Sequence, residues 1–195
     1  MIRCYITDRH AYAADGALIE TIATNLAAGV EWIQIREKDL SAHALFDLVR
    51  SVLALPNPHG SKILVNSRVD VALAAGAAGI HLPAGSPPAR AWRAVAPARF
   101  LIGVSCHSIE EVRAAEAGRA DYAVFGPVFA PLSKFSDLSP RGTGELANAA
   151  AAVRIPVLAL GGITPFNRDS CIAAGAAGIA GISGFQSGNL LEFDP

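Results

Sequence analysis

The residues of this chain best suited to chemistry fall at the ends of short apolar runs. In QIREKDL, period-two alternation places Gln34, Arg36 and Lys38 on one face of an extended backbone and turns Ile33, Ile35 and Glu37 to the other, toward the helices. Two cations and an amide gathered on one face are costly unless they hold an anion or meet an acid, and Asp8 closes the first apolar run. In GVSCHS the same alternation groups Gly103, Ser105 and His107 inward and sends Cys106 outward with Val104, which argues against a Cys106–His107 nucleophilic pair. Asn66 ends KILVN, where its amide serves either to contact a ligand or to cap the following helix. Imidazole gains and loses a proton near neutrality, so His107 and His81 are the candidates for proton transfer. The competing reading of each is a hydrogen-bonded interior histidine.

A second set of groups suits an anion. The segment GPVFAPLSKFSDLSPRGTGE is the longest stretch dense in Gly, Pro and Ser, and loops of this length are often lids over a site. Lys134, Arg141, Gly142 and Gly144 could close over a negative charge, with Lys134 as phosphate contact or as acid. The endings LGGIT and GISG bring Gly161, Gly162, Ser183 and Gly184 to strand ends, where backbone N–H groups suit a phosphate.

These positions need elements to hold them. Eight short runs (IRCYIT, EWIQIR, KILVN, GIHL, FLIGVS, DYAVFG, PVLALGG and GIAGIS) have the length of buried strands. Stretches of helical period lie between them, among them GALIETIATNLAAG, SAHALFDLVRSVLAL and SIEEVRAAEAG. This alternation predicts an α/β fold, a compact TIM (β/α)8 barrel with a short last helix, formed as one domain over residues 1–195. An open Rossmann-like sheet is the competitor, but DRHAYAADG after the first run has no G-x-G-x-x-G turn. The heptapeptide AAGAAGI occurs at 74–80 and again at 173–179, and each copy reads as a helix C-terminus, a glycine cap and the entry to a strand. In a barrel such joints lie on the face opposite the active site.

Composition narrows the partners. A formal net charge of -1 provides no field to gather nucleic acid, and no apolar stretch reaches the roughly 18 residues that span a bilayer. A small ligand is therefore expected, with neither nucleic acid nor membrane as partner. Cys4, Cys106 and Cys171 are widely spaced without metal-ligand pattern, and MIRCYITDRH lacks a signal peptide's features, so a cytoplasmic protein with reduced thiols is expected.

Taken in order, QIREKDL, NSRVDVALAAGAAGIHL, GVSCHSIEEVRAAEAGRADYAVFGPVF, LALGGIT and GISG resemble the thiamine phosphate synthase / TenI superfamily over nearly the whole chain. The resemblance implies a TIM barrel of thiamine biosynthesis that binds a small phosphorylated ligand; a homodimer is a possible assembly. Synthases of the family join an aminopyrimidine pyrophosphate to a thiazole phosphate, whereas TenI-type relatives include a tautomerase that aromatises the thiazole phosphate. By resemblance, Gln34, Arg36, Lys38 and Asn66 address the pyrimidine and its pyrophosphate, and Ser105, Ser133, Lys134, Gly162 and Ser183 contact pyrophosphate or phosphate. Ser67 and Ser86 stand where synthases carry two aspartates that hold magnesium, and a hydroxyl does not replace a carboxylate toward a hard dication. The LPAGS segment is similar to the TenI-like branch, although Pro127 stands where the tautomerase carries its acid/base histidine. The expectation is a TenI-like binder of thiazole phosphate or thiamine phosphate, with tautomerase-type proton transfer and no cofactor. Two alternatives accompany it: a synthase, which would require magnesium, and a non-catalytic binder of thiamine-related phosphates.

Overall fold

The computed structural model describes residues 1–12, 16–130 and 139–190. Eight parallel strands, β1 (Ile2–Ile6), β2 (Trp32–Ile35), β3 (Lys62–Asn66), β4 (Gly79–Leu82), β5 (Leu101–Cys106), β6 (Tyr122–Phe125), β7 (Val157–Leu160) and β8 (Gly178–Gly181), pair in chain order. The β1–β8 pairing, with Cys4 opposite Ala180, closes them into a barrel. The helices α1 (Ala17–Ala27), α2 (Ala42–Leu53), α3 (Val69–Ala75), α4 (Ile109–Ala117), α5 (Gly142–Ala151), α6 (Arg168–Ala173) and α7 (Ser183–Gln186) follow the strands. Between β4 and β5 stands only a 3₁₀ turn at Ala89–Ala91. The last helix is four residues long, as its short sequence segment requires.

Strand alternation divides the apolar residues into two cores. Ile33, Ile35, Val65, Ile80, Ile102, Ala123, Val157 and Ile179 face the helices. Cys4, Ile6, Trp32, Leu64, Tyr122, Val124, Leu158 and Ala180 fill the barrel. Each fully buried Leu or Ile contributes roughly 1.5–3 kcal/mol, so the parity of each strand is strongly set and with it the direction of the polar residues at its end. No helix of the described residues is long and apolar enough to cross a membrane.

The two AAGAAGI copies are the same joint. Gly76 ends α3 and Gly175 follows α6, both at positive φ (78° and 90°). The next N–H, of Ala77 or Ala176, reaches back to Ala72 or Cys171 (2.9 and 3.1 Å). The N–H after that, of Ala78 or Ala177, bonds the neighbouring strand at Ile63 or Val157 (both 2.9 Å). The second glycine of each copy begins a strand, where a Cβ would collide with the carbonyl of Leu101 or Ile2. The repeat is therefore a structural joint that enters β4 and β8, whose far ends carry His81 and the GISG segment.

Candidate active site

The polar residues collect at the C-terminal ends of the strands. At the β1–β2 corner, Gln34 faces the barrel interior and is 1% exposed, and its Nε2 has no hydrogen-bond partner among the described residues. Regular strand ends at Ile35; beyond it Glu37 keeps the helix-facing parity of Ile33 and Ile35 but is not open to solvent. Its carboxylate, 4% exposed, instead accepts the Thr7 hydroxyl (2.5 Å), the Arg9 N–H (3.1 Å) and the Arg9 guanidinium (3.4 Å). Thr7 Oγ1 in turn accepts the Arg36 N–H (2.9 Å), so one buried hydroxyl sets the backbone that presents Arg36. Arg9 forks onto both oxygens of Asp39, and this pairing holds the Asp39 carboxyl well below the usual range. The loop carrying Arg36 and Lys38 is thus tied to the end of β1.

On the opposite side of the mouth, Ser105 and His81 face one another across β4 and β5. His81 Nε2 lies 2.8 Å from Ser105 Oγ, and Nδ1 lies 3.1 Å from Tyr122 Oη. Burial pushes the His81 pKa down to about 3, with the charge of Arg36 acting in the same direction. His81 is therefore neutral near pH 7, with both ring nitrogens engaged by Tyr122 and Ser105. The Tyr122 ring occupies the space that Gly103 leaves, since a Cβ on Gly103 would overlap it.

His107 lies just past the end of β5 and is half-buried. Its backbone N–H meets Glu111 Oε2 (2.5 Å), while Ser108 Oγ accepts the Glu111 N–H (3.2 Å), a capping pair at the start of α4. Its ring Nδ1 lies 2.6 Å from the Gly126 carbonyl. A carbonyl only accepts, so Nδ1 carries a hydrogen and donates it to Gly126. The two histidines share no hydrogen bond. Cys106 is buried facing the helices, and burial pushes its thiol up to about 12, in keeping with a packed rather than a nucleophilic cysteine.

Asn66 does not cap α3; its Nδ2 donates to Ser67 Oγ (2.9 Å) at the mouth of the barrel. Ser67 holds a left-handed backbone (φ 62°), uncommon for a residue with a side chain. Arg68 pairs with Asp70 (Nε to Oδ1, 2.9 Å) and engages that acid. Ser86 and Ser105 line one cavity of about 370 Å³ between loop 84–89, the end of β5 and α4. Among the described residues, no group of three or more His, Cys, Asp or Glu side chains could hold a metal.

The strand ends expected to hold phosphate are adjacent, since β7 pairs with β8. Gly161 and Gly162 both have positive φ (101° and 62°), and Asn167 braces their loop by accepting the Thr164 N–H (2.8 Å) and donating to the Gly162 carbonyl (2.9 Å). Ser183 opens α7 beside them. Gly184 also has a packing role, because Leu190 occupies the space of its absent side chain. Ser133 and Lys134 lie outside the described residues. Thr7, Glu37, Arg9, Asp39 and Tyr122 were not legible as site residues. Nothing in the spacing of the sequence joined the first four, which meet between the end of β1 and the loop after β2, whereas the Gly103–Tyr122 pairing follows from strand register.

A family model described as thiamine monophosphate synthase matches residues 4–185. A Geobacter sulfurreducens protein, named only provisionally as a thiamine-phosphate synthase, is 45% identical over 173 residues, 89% of this chain and 81% of its own. A thiamine-phosphate synthase of Moorella thermoacetica is 40% identical over 160 residues, 82% of this chain and 76% of its own. Among solved structures, a thiamine phosphate pyrophosphorylase from Pyrococcus furiosus superposes with a TM-score of 0.84 at 30% identity, covering 97% of this chain and 90% of its own. These relatives do not separate a TenI-like branch from the synthases.

Proposed function

Since the chain belongs to the thiamine monophosphate synthase family, we propose that it joins an aminopyrimidine diphosphate to a thiazole phosphate to form thiamine phosphate. The observation that carries this reading is the mouth itself. A buried Gln34 Nε2 with no hydrogen-bond partner among the described residues lies two positions before Arg36, whose backbone N–H is held by Thr7, with the Ser105 hydroxyl at the end of β5. A buried donor left unpaired costs free energy that a ligand acceptor recovers, and a heterocycle with ring nitrogens supplies one.

Joining the two substrates breaks the bond between the pyrimidine fragment and its diphosphate. Charge then accumulates on the departing group, and Arg36 and Lys38 stand where they can hold it. The thiazole phosphate is assigned to the β7–β8 ends at Gly161, Gly162 and Ser183. Ser133 and Lys134 complete the diphosphate side in this reading. Ser105 orients the reacting fragment, and Asn66 does so from β3.

Magnesium is the cation that the family resemblance implies. The chain's own residues do not make an acidic site for it: serines stand at 67 and 86, and the nearby Asp70 is paired with Arg68. No step is therefore routed through a protein-bound cation, and the charge is assigned to the basic side chains. The same two serines favour one other reading, proton transfer on a thiazole phosphate, with His107 Nε2 as the group able to take a proton.

The test is to incubate the protein with both substrates in magnesium buffer and to follow thiamine phosphate by chromatography. A parallel sample receives the non-aromatic thiazole phosphate alone, and its ring absorbance is followed. The proposal expects product that requires both substrates. Faster aromatisation without any joined product would replace it with the second reading.

A further inference from the structure

The polar chain that crosses the barrel interior has a direction. Tyr122 is fully buried among Cys4, Trp32, Leu64 and Val124, and among the described residues its hydroxyl has one partner, His81 Nδ1 at 3.1 Å. His81 is 3% exposed, and its other nitrogen has one partner, Ser105 Oγ at 2.8 Å. Two arrangements of hydrogens satisfy these distances. In one, Nδ1 donates to the phenol and Nε2 accepts from Ser105, which strands the phenol hydrogen in an apolar interior. In the other, the phenol donates to Nδ1 and the ring hydrogen sits on Nε2, donating to Ser105. Only the second leaves no buried donor unmet.

We infer that His81 is a positioning residue, held by Tyr122 as the Nε2–H tautomer so that Ser105 accepts from within and donates its own hydrogen to an acceptor in the mouth. Ser105 then recognises an anionic oxygen or a ring nitrogen and discriminates against a donor at that spot. The device also explains Gly103, whose missing side chain lets the Tyr122 ring reach His81. Arg36, which already disfavours a charged imidazole here, shares the same mouth. The ligand half of this inference rests on the diphosphate-binding reading above, whereas the tautomer does not.

Two measurements test it. Long-range proton–nitrogen NMR of the protein labelled at histidine reads which ring nitrogen of His81 bears hydrogen, with assignment from Tyr122→Phe and from the signal lost in His81→Gln. Hydrogen on Nε2 is expected; hydrogen on Nδ1 would overturn the inference. Calorimetry with inorganic pyrophosphate as probe reads the consequence. His81→Gln places an amide donor near the Nε2 position and keeps affinity within a few-fold, while His81→Asn and Ser105→Ala each weaken it about tenfold at matched melting temperature. Equal affinity in His81→Asn and the unmodified protein would refute the positioning role. Failure of the unmodified protein to bind pyrophosphate would instead sink the diphosphate reading and with it the ligand half, leaving the NMR result to decide the tautomer.

Discussion

Replacing Thr7 by Val removes one oxygen and nearly nothing else, so its effects can be worked out bond by bond. The hydroxyl is fully buried, donates to Glu37 at 2.5 Å and accepts the Arg36 N–H at 2.9 Å. In the variant the Arg36 amide has no acceptor and the buried Glu37 carboxylate keeps only Arg9. Each of the two groups that lose this partner costs about 1–3 kcal/mol when unmet, the added methyl returns under about 1 and Glu37 keeps Arg9, which leaves a net loss of roughly 2–4 kcal/mol. For a domain of this size that corresponds to a fall of roughly 5–15 °C in melting temperature. Arg36 is also no longer fixed, so pyrophosphate affinity measured by calorimetry should drop about tenfold or more. Thr7→Ser keeps both bonds and should hold affinity near the original value at a small cost in stability. If Thr7→Val melted with the parent and bound pyrophosphate equally well, the claim that this hydroxyl sets the Arg36 backbone would be wrong.

Three further outcomes are expected. Because the folded-state pKa of His81 is about 3 against 6.5 for the free group, the unfolded chain takes up a proton between those values and the native one does not. Stability from this residue is complete above pH 6.5 and is lost as pH falls toward 3, by up to about 1.4 kcal/mol per pH unit. Chemical denaturation should show that slope in the protein and not in His81→Gln. Gly103→Ala forces a Cβ into the Tyr122 ring, and thermal unfolding should report a loss of about 2 kcal/mol or more. Gln34→Leu removes an unmet buried donor and should leave stability unchanged or raised by about 1 kcal/mol while abolishing turnover, a separation that melting curves and product assays together detect.

The barrel was legible because its strands are short apolar runs at regular spacing and because the AAGAAGI joint occurs twice in one register. The inward direction of Gln34 and Ser105 followed from strict alternation within β2 and β5. Past the last paired residue, what alternation does not give is the hydrogen-bond partner: Glu37 meets the Thr7 hydroxyl and His107 the Gly126 carbonyl. The His81–Tyr122 contact was hidden for a different reason. It joins residues 41 apart in sequence through the barrel interior and depends on Gly103 lying opposite Tyr122 in the β5–β6 register. The serines at 67 and 86 became informative only through the family resemblance, which implies acids at those positions; residue type alone would not have marked them.

Turnover in the parent protein and in Arg36→Ala, with the aminopyrimidine diphosphate and the thiazole phosphate supplied together, tests the central claim most directly. Arg36, whose backbone N–H the Thr7 hydroxyl holds, is the cation assigned to the departing charge, and removing an electrostatic group that acts there costs about 100-fold or more in rate. The account predicts thiamine phosphate and inorganic pyrophosphate in equal amounts from the parent, with kcat falling by that factor in Arg36→Ala. No product from the parent, or a rate that Arg36→Ala leaves unchanged, would contradict it.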